Sequence, residues 1–329
     1  MKEKKRNKLS NPKRHHYLPI FYLINFCEKG FLWVYDRNKN EYREQAPINT
    51  AIQKKYYSFI GRDDKEHFEI ENEVLSNIES DTKPIIDKIN NKEIISLYEK
   101  IILAIFISFL HLRTPGFEKE INEIFEKFIK IFAKYCFPTE EYTKKIIKKA
   151  VSNNKQKDVS PKKLMDFVNK ENYKVKVHRD FSLKMMYNLA QELPIDLIQM
   201  DWQFCYSPKK SSFVTSDNPF VLIPSCNYKK EGVCGLGIRV PGVKKIIPLT
   251  QKVCLVIYDK GDNIENKDIP SREVEEINSY ITKNCDRFLI SRDKVLLEKL
   301  IKITNIDKTK TKSRAKVFQS GNFIIARKK

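Results

Sequence analysis

Two adjacent histidines, His15 and His16, stand just behind a basic N-terminal stretch and are followed by Tyr17-Leu-Pro19. The chain has only five histidines, so an adjacent pair is notable. Two imidazoles can serve as an acid–base couple near neutral pH, or as a metal ligand beside a base. On a strand successive side chains alternate, so one ring would face the core and the other outward. The competing reading is a polar segment whose histidines only hydrogen-bond, since a motif this short carries little specificity.

A second constellation is Val214-Thr-Ser-Asp-Asn-Pro219. Its strand–turn–strand setting predicts that Ser216, Asp217 and Asn218 lie at a loop tip, where polar side chains can meet a ligand. Asp217 there could bind a metal or orient a histidine. The competing reading is a local Asx turn before a proline. Arg113 closes the most apolar segment of the chain, where a guanidinium needs a partner, and Glu79 is the candidate. That pair reads either as a structural ion pair or as a phosphate clamp. Should a divalent metal take part, Glu79 or Asp217 is the expected ligand. No Walker loop, Rossmann fingerprint, H-E-x-x-H, G-x-S-x-G or kinase set occurs.

Charge points to a partner. Lys plus Arg number 62 against 42 Asp plus Glu, a formal net of +20. Residues 1–14 hold seven basic residues and one acid, residues 127–176 fourteen Lys and five acids, and residues 302–329 nine basic residues and one acid. The rest of the chain is close to neutral. Basicity segregated in this way is the footprint of a nucleic-acid partner. Lys144, Lys145, Lys148, Lys149, Lys162 and Lys163 are the expected phosphate contacts, although Lys runs also form plain solvated surfaces.

The elements that must position these residues read as α+β. Residues 31–35 predict a strand, 36–40 a turn, and 41–45 its hairpin partner. A helical period begins at 69, with Pro84 inside it. Residues 94–113 are apolar nearly all round, as in a buried helix, and Thr114-Pro-Gly116 should end it. Residues 117–136 are amphipathic. Thr139 and Ser160-Pro161 look like helix N-caps, and 181–193 gives a helix stopped by Pro194. Short strands follow at 202–206, 212–216, 220–223, 244–248 and 252–258, then a helix at 272–285 and strands at 288–290 and 323–326. N- and C-terminal strands should form a mixed or antiparallel sheet packed with a large central helical region. The expected organisation is a basic tail at 1–14, one domain at 15–301 and a basic segment at 302–329. Residues 152–158 are the best linker, and a separate mobile helical lobe at 117–193 is the alternative. Without an apolar run of membrane-spanning length, an export signal or a C-x-x-C pair among its seven cysteines, the chain is expected in the cytoplasm, away from membranes.

Taken together, these motifs resemble the bacterial family known as domain of unknown function 4238. The resemblance rests on His15-His-Tyr-Leu-Pro19, Gly30-Phe-Leu-Trp-Val-Tyr-Asp-Arg37, Ile78-Glu79, Phe109-Leu-His-Leu-Arg-Thr-Pro115, Trp202, Phe213-Val-Thr-Ser-Asp-Asn-Pro219 and Pro248-Leu-Thr. It implies that His15, His16, Arg113 and Asp217, supported by Tyr17, Glu79, Ser216 and Asn218, form one recurring set. Histidine, arginine and carboxylate beside basic flanks suit phosphodiester cleavage, so a nuclease-like effector, in bacterial conflict or phage defence, is the leading expectation. The alternatives are a non-enzymatic nucleic-acid-binding or sensor module braced by the same residues, and a small-molecule or nucleotide enzyme.

Overall fold

Strand alternation divides this molecule into two apolar cores. The computed structural model describes residues 14–54, 56, 59–60, 66–67, 74–151, 159–171, 173–224, 237–306, 315–320 and 323–328. Strand β1 (Arg14–His16) leads into the short helix α1 (Ile20–Ile24). The hairpin β2 (Leu32–Asp36) and β3 (Glu41–Gln45) follows, then β4 (Ile52–Lys54), β5 (Phe59–Ile60) and β6 (Glu66–His67). The helical middle comprises α2 (Ser76–Asn90), α3 (Leu97–Leu112), α4 (Pro115–Cys136), α5 (Glu140–Val151), α6 (Pro161–Lys170) and α7 (Arg179–Ile198). After it come β7 (Met200–Tyr206), β8 (Thr215–Ser216), β9 (Val221–Pro224), β10 (Val243–Pro248), β11 (Val253–Lys260) and β12 (Ile264–Asp268). Helix α8 (Ser271–Asn284), β13 (Phe288–Ser291), α9 (Lys294–Thr304), β14 (Ala315–Ser320) and β15 (Phe323–Lys328) complete the order.

The chain gathers into two compact units. One is built from 1–118, 183–230 and 236–312, the other from 119–182, 231–235 and 313–329. In the first unit a five-stranded sheet runs β12-β7-β11-β10-β9, with only β12 and β7 parallel. Trp202, Phe204, Tyr206, Ile247, Leu255 and Ile257 face one core, shared with α1, α2, α3 and α7. Their alternates Cys205, Ile246, Cys254 and Val256 face a second core, closed by α8 and α9. Period-two side-chain alternation makes both faces apolar, as a sheet covered on both sides requires. A second sheet, β3-β2-β13-β8, joins the N-terminal hairpin to a strand near the C-terminus. The fold is thus α+β, with strands from both ends of the chain paired in one sheet and a large helical region between them in sequence.

Local sequence explains several boundaries. Ser96 and Glu99 form a reciprocal capping box at the start of α3. Thr139 Oγ1 accepts from the Tyr142 amide at 3.2 Å at the start of α5. Pro161 occupies the first turn of α6, although the Ser160 side chain makes no capping bond. Three expectations need correction. Helix α7 does not stop at Pro194 but continues to Ile198, because Leu193 and Leu197 on either side of the proline are both held in the core. Residues 212–214 lie outside strand β8. The last strand, β15, pairs with β14 rather than closing the main sheet. The tail at 1–13, the helical start at 69–73 and the linker at 152–158 lie outside the described residues. Among the described residues no single helix is long and apolar enough to cross a membrane, and five cysteines, at 27, 136, 205, 254 and 285, are free thiols.

Candidate functional site

The histidine pair is placed by β1, which runs antiparallel to β4 with His15 opposite Gln53 and His16 opposite Ile52. Alternation turns His15 fully inside, at 0 % exposure, and leaves His16 half-buried. His16 Nε2 lies 3.0 Å from the Ile48 carbonyl oxygen. A carbonyl only accepts, so Nε2 carries the hydrogen and, in the neutral ring, Nδ1 carries the lone pair. Burial lowers the His16 pKa below its ordinary 6.5; the Ile48 bond and the Glu79 charge oppose this, while Arg14 and Arg113 reinforce it. Burial and the two guanidinium charges thus both favour the uncharged form of the His16 ring.

Arg113 sits at the C-cap of α3, its amide bonded to the Phe109 carbonyl. Its side chain is 2 % exposed, and Nη1 donates to Glu79 Oε1 at 2.9 Å. Glu79 projects from the first turn of α2, where the helix dipole favours a carboxylate. Buried guanidinium and half-buried carboxylate make a structural ion pair, and His16 lies within the field of both. The structure thus brings His16, Glu79 and Arg113 together, with Arg14 on the exposed side.

The T-S-D-N-P turn is not the open loop tip that its strand–turn–strand setting predicts. Thr215, Ser216, Asp217 and Asn218 are all buried, because β8 pairs with β13. Asp217 Oδ1 accepts the Asp286 amide at 2.9 Å, and Oδ2 accepts those of Arg287 at 2.7 Å and Phe288 at 3.1 Å. Burial and the neighbouring Asp286 carboxylate push the Asp217 pKa up, against the pull of these three amides. Ser216 Oγ accepts from the Asn218 amide and donates to the Asn218 carbonyl, while Asn218 Nδ2 donates to the Asn284 carbonyl. These side chains tie the turn to the entry of β13.

Several tethers join this turn to the histidine segment. Tyr22 in α1 donates its hydroxyl to the Pro248 carbonyl at 2.8 Å, so the Thr215 hydroxyl, 2.6 Å away, donates to Tyr22. Arg287 grips Asp36 through Nε and Nη2, the latter at 2.8 Å from Oδ2. Burial alone would raise the Asp36 pKa, but Arg287 and the amides of Lys39 and Asn38 hold it below the ordinary carboxylate value. The Arg287 backbone amide also donates to Asp217, so this one residue joins the β2 end, through Asp36, to the turn. Gly116, in the first turn of α4, lies against the Asp286 carboxylate so closely that a Cβ there would overlap it. Arg14, Asp286 and Arg287 were not picked out by motif, and Asp36 entered only within the Gly30–Arg37 stretch and the 36–40 turn, with no role at the site. Only the acid–base dipeptides Asp36-Arg37 and Asp286-Arg287, each at a strand end, hinted at them.

Both candidate metal ligands are engaged, Glu79 by Arg113 and Asp217 by backbone amides. Among the described residues no group of three or more His, Cys, Asp or Glu is arranged to hold a metal ion. Cavities of about 580 Å³, beside Lys245 and Asp259, and about 440 Å³, beside Cys205 and Tyr258, lie away from these residues. The six lysines Lys144, Lys145, Lys148, Lys149, Lys162 and Lys163 are exposed on α5 and α6 of the second unit; Lys145 pairs with Glu141 at 3.1 Å.

A family model described as protein of unknown function (DUF4238) matches residues 14–295. No curated protein and no solved structure matches the chain.

Proposed function

The chain belongs to the DUF4238 family, and for it we propose phosphodiester cleavage in nucleic acid at a site centred on His16. The observation that carries this reading is the setting of that imidazole: half-buried, held by Ile48 through Nε2, its uncharged form favoured by burial and by the charges of Arg14 and Arg113. An uncharged histidine can take the proton of an attacking water or ribose hydroxyl as that oxygen bonds phosphorus, while the opposite P–O ester bond breaks and the departing oxygen takes a proton from solvent water. Positioned general bases of this kind contribute about 10²–10⁴-fold to rate. Exposed Arg14 is the group suited to touch a phosphate oxygen. Buried Arg113 acts at longer range, opposing charge build-up while Glu79 fixes its orientation. Asp217 has both oxygens occupied and acts as a brace, not as a reactant.

The test is incubation of the full chain with single- and double-stranded DNA and RNA, with EDTA and with divalent metal, beside His16→Ala. The expected result is cleavage that His16→Ala reduces at least 10²-fold without loss of folded protein. No cleavage of any substrate by folded protein, or cleavage indifferent to His16, overturns it. The engagement of Asp217 and Arg113 favours a second reading, a non-enzymatic nucleic-acid-binding module in which the same residues hold the fold together.

A further inference from the structure

The lysines of the second unit do not stand alone. Helix α4 is strongly amphipathic, yet none of its 22 residues is buried. Phe128, Phe132 and Tyr135, at helical spacing on one face, are 44 %, 55 % and 45 % exposed, and Ile129 beside them is 39 % exposed. The Phe128 and Phe132 rings lie within 5° of parallel, 6.4 Å between centroids. On α5 and α6, Tyr142 and Phe167 are each 51 % exposed, and Phe167 stacks on Tyr173 at 4.9 Å. Leaving this much aromatic surface in water is unfavourable by the area rule that buries such rings elsewhere.

Charge selects what covers it. Residues 119–182 hold sixteen Lys and Arg against nine Asp and Glu. Lys144, Lys148, Lys162 and Lys163 are exposed. A basic helical unit that also exposes parallel rings matches a polyanion whose bases are unpaired. Lysines neutralise phosphates along the backbone, and base faces stack on the rings. A duplex offers the phosphates but keeps its base faces inside its own stack. We infer that the helical unit formed by α4, α5 and α6 is a single-strand nucleic-acid-binding surface, with Phe128 and Phe132 as stacking platform and the α5–α6 lysines as backbone contacts. This deepens the proposed function and rests on it for biological sense, though the binding is read separately from cleavage.

The experiment measures anisotropy of labelled 20-mer single strands and of the matching duplex with the full-length His16→Ala chain in EDTA, so that turnover does not interfere. Binding should favour the single strand and fall steeply with salt. Phe128→Ala and Phe132→Ala, at exposed positions that leave folding intact, should each weaken single-strand affinity about tenfold or more while leaving duplex affinity nearly unchanged. Phe132→Tyr, which keeps a ring, should restore binding. Equal affinity for single strand and duplex, or indifference to both Phe variants, overturns the inference. So does binding to phosphatidylserine vesicles with none to either nucleic acid, which would make the same face a membrane contact. Single-strand binding by a chain whose wild type cleaves nothing leaves this inference standing and removes the phosphodiesterase reading. Cleavage with no role for Phe128 or Phe132 does the reverse.

Discussion

Replacing Asp217 by Asn separates bracing from chemistry. In the wild type three backbone donors converge on the two carboxylate oxygens, two of them on Oδ2. An amide keeps one acceptor oxygen. Turned toward Arg287 and Phe288 it preserves two bonds and sets its NH2 group against the Asp286 amide. A buried donor left without an acceptor costs about 1–3 kcal/mol, and a unit of this size loses about 2–4 °C per kcal/mol, so Asp217→Asn should melt roughly 2–12 °C below wild type. Asp217→Ala orphans all three donors, a loss of ~3–9 kcal/mol set against a typical total of ~5–15 kcal/mol, and should accumulate as unfolded protein. The deficit also has a pH signature. The folded carboxyl titrates above its ordinary 3.8, so its stabilising contribution is complete below that value and is lost as pH rises through the raised one. Asparagine does not titrate, and the gap in melting temperature should therefore narrow toward alkaline pH. Paired thermal melts and cleavage assays from pH 4.5 to 8.5 decide the matter. An Asp217→Asn protein that melts like wild type but has lost cleavage would refute the bracing argument and return Asp217 to the reaction.

Other outcomes follow from the same geometry. Arg113→Ala should cost about 3–5 kcal/mol because it strands Glu79 against a buried site, and Glu79→Gln should cost less; chemical denaturation measures both. Gly116→Ala, which drives a methyl into the Asp286 carboxylate, should destabilise by ~1–3 kcal/mol on the same assay. The Asp36 carboxyl titrates below its ordinary value, so its contribution is present above the unfolded value and lost as pH falls through the folded one; Asp36→Asn should flatten the acid side of the melting profile. Because His16 titrates below 6.5, the cleavage rate should rise with pH to a midpoint below that value, and an alkaline midpoint would assign the base elsewhere.

Much of the scaffold was legible because its signals are local. The turn at 36–40 between two alternating segments marks the β2–β3 hairpin, and the apolar run ending at Arg113 marks α3. Strand alternation alone predicts that His15 and His16 point opposite ways, one inward and one half-exposed. The site was less legible because its bonds join distant backbone to single side chains. The Asp217 carboxylate meets amides 69 to 71 positions away, and Tyr22 meets Thr215 across 193. No period or spacing encodes such contacts. The turn therefore read as an exposed ligand loop although it is a buried fastening. Pro194 misled for a related reason: a local helix breaker was overruled by the packing of Leu193 and Leu197.

The pairing of β2 with β13 sets a clock on biosynthesis. The guanidinium that grips Asp36 lies 251 residues downstream, and the strand that covers β2 directly follows it. At translation rates of ~5–20 residues per second, roughly 13–50 s pass between the emergence of the N-terminal hairpin and that of its partner. Throughout that interval the nascent chain presents Leu32, Val34 and Tyr35, all buried in the finished protein, on an unpaired strand edge of the kind that recruits other strands. Ribosome-bound chains ending before Phe288 should thus depend on chaperones and remain open to protease along β2, and release of β13 should be the event that covers this edge.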